Sequence, residues 1–261
     1  MLLALDVGNT NIVLGLFEGR GDGVDGARLL RDWRMRTEAL MTADELALAV
    51  RGMLGPLAEQ VTGIAALSTV PAVLRSMRAM FACYWRDMPV VIVEPGVKTG
   101  VALLVDNPKE VGADRVVNTL AAHHHYGTAC VIVDFGTSTN IDVVSPRGEF
   151  LGGAFAPGIG ISVDALAARA AQLVKVELAA PRSVIGKNTV ECLQSGILYG
   201  FAGQVDGLVS RIVGELGHDD VAVIATGGLA SLVLEECRTI QHHAPHLTLD
   251  GLRLVYERNT R

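Results

Sequence analysis

At 261 residues the chain is long enough for one large domain or two small ones. Half of it is hydrophobic, 5% is aromatic, and the formal net charge is −6; neither the first 115 residues (12 basic, 14 acidic) nor the remainder (10 and 14) is basic. That composition excludes a disordered chain and disfavours a dedicated nucleic-acid binder. The longest stretch without a charged residue, Val116 to Val133, contains Asn118, three histidines and Gly127, so no membrane span is expected. Met1 leads into Leu2-Leu3-Ala4-Leu5-Asp6 with no charged leader or cleavage site, which points to a cytoplasmic protein. Cys83, Cys130, Cys192 and Cys237 form no C-x-x-C pair and read as reduced core thiols.

The predicted elements alternate. Strands are expected at Leu2–Val7, Asn11–Phe17 and Arg28–Arg36. Thr42-Ala43-Asp44-Glu45 has the hydroxyl and the carboxylate of a capping box, opening a helix to about Leu54. A buried strand follows at Gly63–Val70. Pro71 suits the first position of a helix reaching about Trp85, and Val90–Val93 is a short strand. Asp106–Glu110 is turn-like, with a helix from Glu110 or Ala113 to about Tyr126. Strands then recur at Ala129–Asp134, Ile141–Val144 and Phe150–Phe155, followed by helices near Ile161–Leu173 and Thr189–Glu215. The chain closes with a strand at Val221–Ala225, a Gly227-Gly228 turn, a helix over Leu229–Ile240 and a terminal helix at Leu249–Arg258. Alternating strands and helices define an α/β class.

One internal echo bears on domain organisation. Leu5-Asp6-Val7-Gly8-Asn9-Thr10 resembles Val133-Asp134-Phe135-Gly136-Thr137-Ser138, offset by 128 residues. Each is an apolar strand, an Asp-x-Gly turn with polar residues, and a second strand. The offset predicts two duplicated domains, 1–116 and 117–261.

The turns carry chemistry. An aspartate ending a buried strand can hold a hydrated magnesium ion, and a glycine turn lets backbone and polar side chains approach phosphate oxygens. An ordinary tight hairpin uses the same residues, so either turn alone is ambiguous. Two facing copies can clamp a nucleoside triphosphate from both sides. Neither a G-x-x-x-x-G-K-[ST] loop nor a G-x-G-x-x-G after the first strand is present. His123-His124-His125 and His242-His243-x-x-His246 lack the spacing and partners of a zinc site.

The paired Asp-Gly turns, with Ala225-Thr226-Gly227-Gly228 between a strand and a helix, resemble the phosphate and adenosine motifs of the sugar kinase, actin and heat-shock chaperone superfamily. With Asp106-Asn107-Pro108 through Gly112-Ala113-Asp114-Arg115, Glu149-Phe150-Leu151-Gly152-Gly153-Ala154, Ala156-Pro157-Gly158, Gly186-Lys187-Asn188-Thr189 and Tyr256-Glu257-Arg258-Asn259, the chain resembles the type III pantothenate kinases over its whole length.

The resemblance implies two duplicated actin-like (ribonuclease H-like) domains with an interdomain nucleotide cleft. It implies ATP-dependent phosphorylation of pantothenate to 4′-phosphopantothenate, the first step of coenzyme A synthesis. ATP would be held by Asp6, Val7, Gly8, Asn9, Thr10, Asn11, Ile12, Val13 and Thr137. Pantothenate would be held by Gly112, Ala113, Asp114, Arg115 and Thr189, with Asp114 as general base. Asp134 would hold a monovalent cation, K⁺ or NH₄⁺, and Asp6 would hold Mg²⁺ through water. A homodimer is implied, with ATP and pantothenate as the small-molecule partners and neither nucleic acid nor membrane.

Simple local readings stand beside these roles. Asp114-Arg115 could be a charged first helical turn. Asn188 with Glu191 could be a helix cap that also serves anions. The family often has Thr where this chain has Asn140, and Tyr where it has Val105, a loss of one phenol from the pantothenate pocket. The rival functions are a non-catalytic nucleotide-binding transcriptional accessory factor and a small sugar kinase.

Overall fold

The computed structural model describes residues 1–19, 27–169 and 176–260. Contacts group them into two compact units: Met1–Gly100 with Lys109–Ala121 and Thr248–Arg261, and Val101–Pro108 with Ala122–Leu247.

The first unit holds strands β1 (Leu2–Val7), β2 (Asn11–Glu18), β3 (Arg28–Arg36), β4 (Gly63–Ser68) and β5 (Val90–Ile92), in the sheet order β3-β2-β1-β4-β5. The β1–β2 and β2–β3 pairs are antiparallel, and the β1–β4 and β4–β5 pairs are parallel. The parallel pairs need crossovers, which are supplied by α1 (Ala43–Leu54) and α2 (Pro71–Tyr84). Thr42 and Glu45 form the full capping box, and Pro71 sits in the first turn of α2. Leu3, Leu5 and Val7 of β1 pack with Leu46 and Val50 of α1 and Met77 and Phe81 of α2 in one core.

The opposite face is met by α7 (Leu247–Asn259) where the sheet lacks side chains. A methyl on Gly15 would come within 2.7 Å of Leu249 Cδ1, and one on Gly63 would run into the Tyr256 ring. Beyond Tyr256, Arg258 Nη1 donates to the Thr99 carbonyl at 2.8 Å, and Asn259 Nδ2 donates to that of Lys98 at 3.0 Å. The Tyr256–Asn259 motif therefore fastens the 98–100 segment to α7.

The second unit repeats the scheme. Strands β6 (Ala129–Phe135), β7 (Ser138–Val144), β8 (Phe150–Pro157), β9 (Val221–Thr226) and β10 (His242–His243) lie in the order β10-β9-β6-β7-β8. Its β6–β7 and β7–β8 pairs are antiparallel, and its β6–β9 and β9–β10 pairs are parallel. Strand for strand this matches the first sheet. Val131, Val133 and Phe135 pack with Ile159 and Val163 of α4 (Ile159–Arg169) and with Leu198, Ala202 and Val205 of α5 (Thr189–Leu216).

Residue 116 falls inside α3 (Ala113–Tyr126), and α7, which packs on Gly15 and Gly63, groups with the first unit. The helix expected to reach Leu173 is described only to Arg169, and its end lies outside the described residues. After Gly228 the helix is short: α6 (Ala230–Val233) and a 3₁₀ turn to Glu236. Asp206 of α5 stops it by accepting the backbone N–H groups of Arg238 at 2.9 Å and Thr239 at 3.0 Å.

Candidate functional site

In the first unit, Asp6 ends β1 and is partly exposed. Gly8 N donates to the Asn11 carbonyl at 3.0 Å, which closes a two-residue loop of exposed Asn9 and Thr10. Asn11, Ile12 and Val13 return as β2, with Ile12 in the core and Val13 opposite Asp6. The end of β3 holds this turn. Thr37 Oγ1 donates to the Gly8 carbonyl at 2.7 Å, and Thr37 N donates to the Thr10 carbonyl at 3.0 Å. Thr37 was not singled out from sequence. Its only local signal is its position one residue beyond a strand.

Gly112, Ala113, Asp114 and Arg115 form the start of α3, where Val116 N bonds to the Gly112 carbonyl at 3.2 Å. The Asp114 carboxylate folds back against Gly112, so that a Cβ there would collide with Oδ1. Asp114 keeps some exposed surface, yet burial around its carboxyl raises its pKa above the usual value. The backbone N–H groups of Arg115 and Asp114 and the Arg115 charge oppose that rise without cancelling it. Burial thus makes this carboxylate a stronger base than a solvated aspartate.

In the second unit, Asp134 ends β6 and faces Asn140 on β7 and Thr226 on β9. Gly136 N donates to the Ser138 carbonyl at 3.0 Å, leaving Thr137 exposed at the tip. Gly227 comes up beside this turn with φ +92°, and a Cβ on it would meet Asp134 Oδ1 and lie 2.6 Å from the Phe135 backbone. Leu229 N donates to the Phe135 carbonyl at 3.1 Å. Gly158, at the start of α4, approaches from another side, where a Cβ would lie 2.9 Å from the Gly136 carbonyl oxygen. Asp134, Thr137, Gly158 and Gly227 are therefore gathered in one place, beside a helix N-terminus that favours anions.

Thr189 is exposed, and the contacts around it are those of a helix start. Asn188 Oδ1 accepts from Glu191 N at 2.9 Å, and Glu191 accepts from Lys187 N at 3.0 Å. Of the two departures, Asn140 Oδ1 accepts from Ser138 Oγ at 2.7 Å, and Val105 Cγ1 would be 3.7 Å from a Cβ on Gly152. Asp142, missed from sequence, is 1% exposed on the same strand face as Ser138 and Asn140. A charge inside the run Ile141–Val144 was its signal.

Among the described residues, no three or more His, Cys, Asp or Glu side chains converge as a metal cluster. The single carboxylate of the Asp6 hairpin still fits magnesium, which takes one or two protein carboxylates with water and substrate phosphates.

Comparison with known proteins settles the family. The type III pantothenate kinase profile matches residues 2–211. The chain belongs to the type III pantothenate kinase family. A type III pantothenate kinase of Saccharopolyspora erythraea is 72% identical, with 99% of each chain covered. One from Rhodococcus opacus is 64% identical over 99% of this chain and 96% of its own. Among solved structures, a putative N-acetylmannosamine kinase from Listeria monocytogenes superposes with a TM-score of 0.54 at 13% identity, covering 100% of this chain and 99% of its own. That likeness shows the shared two-domain α/β fold. Membership in the type III pantothenate kinases makes the chain a kinase acting on pantothenate, within coenzyme A biosynthesis.

Proposed function

We propose that the chain transfers the γ-phosphoryl group of ATP to the primary hydroxyl of pantothenate, with Asp114 as the general base. The observation that carries this reading is the Asp114 carboxylate, packed against Gly112 at the start of α3 and raised in basicity by burial. An alcohol is a weak nucleophile until its proton has an acceptor. Asp114 takes that proton as the hydroxyl oxygen bonds to phosphorus and the bond to the ADP oxygen breaks. Arg115 offers a forked cation for the pantothenate carboxylate or for phosphate oxygens. Gly112 and Ala113 give pantothenate a backbone surface beside Asp114, and Thr189, exposed at the start of α5, is assigned to pantothenate as well.

Asp6 through Val13 and Thr137 serve ATP. Asp6 would hold Mg²⁺ through water, and Asp134 would hold K⁺ or NH₄⁺ beside the Thr137 turn. These ions would neutralise phosphate charge, much of what phosphoryl transfer requires. We propose the duplicated domains as 1–116 and 117–261. The protein is read as a cytoplasmic homodimer that binds neither nucleic acid nor membrane. Among the described residues no helix is long and apolar enough to cross a membrane.

The test is a steady-state assay with ATP, pantothenate and Mg²⁺, with and without K⁺. Turnover that stays at the level of the Asp114→Asn variant refutes the proposal. Sedimentation of the purified chain tests the dimer.

A further inference from the structure

Four of the 22 Lys and Arg residues fall in the nine-residue strand β3: Arg28, Arg31, Arg34 and Arg36. Two of them have structural employment. Arg28 pairs with Glu18 at 3.7 Å, and Arg31 lies over the Trp33 ring at 5.2 Å. Arg34 and Arg36 are exposed, and among the described residues neither forms an ion pair.

The sheet register decides where these two arginines point. Asp6 is opposite Val13, and Val13 is opposite Arg34, so Asp6 and Arg34 share one sheet face. They are two strand spacings apart, about 10 Å between backbones. Arg36 lies opposite Asn11, one step nearer the Gly8–Thr10 turn on that same face. The other face carries Trp33 and Met35 into the core, so the alternation is unambiguous. Thr37 then ties the end of β3 to the turn through the Gly8 and Thr10 carbonyls. Those carbonyls would repel phosphate oxygens, and Thr37 occupies them.

Arg34 and Arg36, at i and i+2, place two exposed cations side by side on one strand face, about 7 Å apart along the backbone. The chain as a whole carries −6, so a polyanion gains from a local cationic lip. We infer that Arg34 and Arg36 form a polyphosphate-binding lip beside the Asp6–Thr10 turn, engaging the β- and γ-phosphates of the bound nucleotide. This deepens the kinase reading and rests on it. Arginine suits the role because its fork can hold two oxygens of one phosphate.

The experiment is calorimetric titration of the full-length chain with Mg²⁺–ATP and with AMP. The Arg34→Ala/Arg36→Ala double variant should bind ATP about tenfold more weakly, about 1.4 kcal/mol. AMP, which lacks the outer phosphates, should shift by less than about twofold, and the ATP loss should shrink as salt screens the charges. The Arg34→Lys/Arg36→Lys variant, which keeps the charge and loses the fork, should bind ATP between the wild type and the double Ala variant, and Arg28→Ala should match the wild type. ATP binding unchanged in the double Ala variant overturns the inference; the two arginines then only guard an open sheet edge. Equal losses for ATP and AMP overturn it as well, since they signal a structural effect. The titrations need no turnover, so ATP binding without phosphorylation refutes the kinase proposal and leaves the arginine lip standing. A wild-type chain that binds no ATP overturns both.

Discussion

Gly112→Ala separates the position of Asp114 from the stability of the fold. A Cβ at residue 112 would press on Asp114 Oδ1, while Asp114 Cγ stands 3.6 Å away. The oxygen must retreat by about 0.6 Å to clear 3.0 Å, and by about 1 Å to reach ordinary contact at 3.4 Å. Oδ1 is the far end of a side chain, so it can rotate away at small structural cost. The backbone at Gly112 is outside the left-handed region, and alanine fits it without strain. Removing a glycine from the unfolded chain then favours folding by about 0.4–1 kcal/mol. Catalysis pays differently: a misplacement of about 1 Å costs on the order of 100-fold, and a lost general base costs about 10²–10⁴. The expected result is a kcat about 100-fold lower, about 2.7 kcal/mol, with a melting temperature equal to or above that of the wild type. Steady-state kinetics with a thermal melt on the same preparation measure both. A variant that keeps kcat within about threefold of wild type, with its melt unchanged, refutes the claim that Gly112 positions the reacting carboxylate.

Asp114→Asn should lose at least about 100-fold in kcat and gain thermal stability at neutral pH. Burial raises the folded pKa above its unfolded value, so stability falls as pH rises from the unfolded to the folded pKa, and the full cost is present above the latter. Asparagine removes this cost, and the stability gap between variant and wild type should close as pH falls through the folded pKa. For the same reason the acidic limb of kcat/KM should lie above the range of a solvated aspartate. Gly227→Ala should be destabilised by about 2–5 kcal/mol in chemical denaturation, because it adds a left-handed penalty to a collision with the Phe135 backbone at 2.6 Å. If Asp134 holds K⁺ as proposed, the variant should also blunt the response to K⁺, since the same methyl presses on Asp134. Thr42→Ala removes the capping box of α1 and should cost about 1 kcal/mol with kinetics unchanged.

Legibility in the sequence followed the range of the interactions involved. Strands β1, β4, β6 and β9 are short apolar runs bounded by turn residues, and the Thr42 box and Pro71 mark helix starts by contacts within four residues. The helix after Gly228 was overextended because its stop is the Asp206 carboxylate, 32 residues away in sequence from Arg238. The run Leu249–Arg258 is legible as a helix, but its sequence does not say against what it packs, and residues 251–255 are buried in succession. Its partners, Gly15 and Gly63, are recognised only once the bare spots on the sheet are seen. At the candidate site, the Asp6 and Asp134 turns were legible as an echo and the Asp114 segment as a motif. The basicity of Asp114 was not, since it depends on desolvation by distant neighbours. Nor was the alignment of Arg34 with Asp6, which emerges from the register of three strands.

The two hairpins share a topology but differ in how firmly they are held, and glycine explains the difference. In the first, a Cβ on Gly8 would meet only the Asn11 carbonyl of its own turn, at 3.3 Å, and the tie from outside comes from Thr37. In the second, Gly158 and Gly227 bring two further backbones against the Gly136–Thr137 turn, at distances that leave no room for a methyl. The first turn is thus secured from outside by two hydrogen bonds of one residue, and the second by backbone packed closely against it. The high glycine content of the chain therefore includes positions where backbone must approach backbone around one copy of a duplicated turn, a demand that only a residue without a Cβ meets.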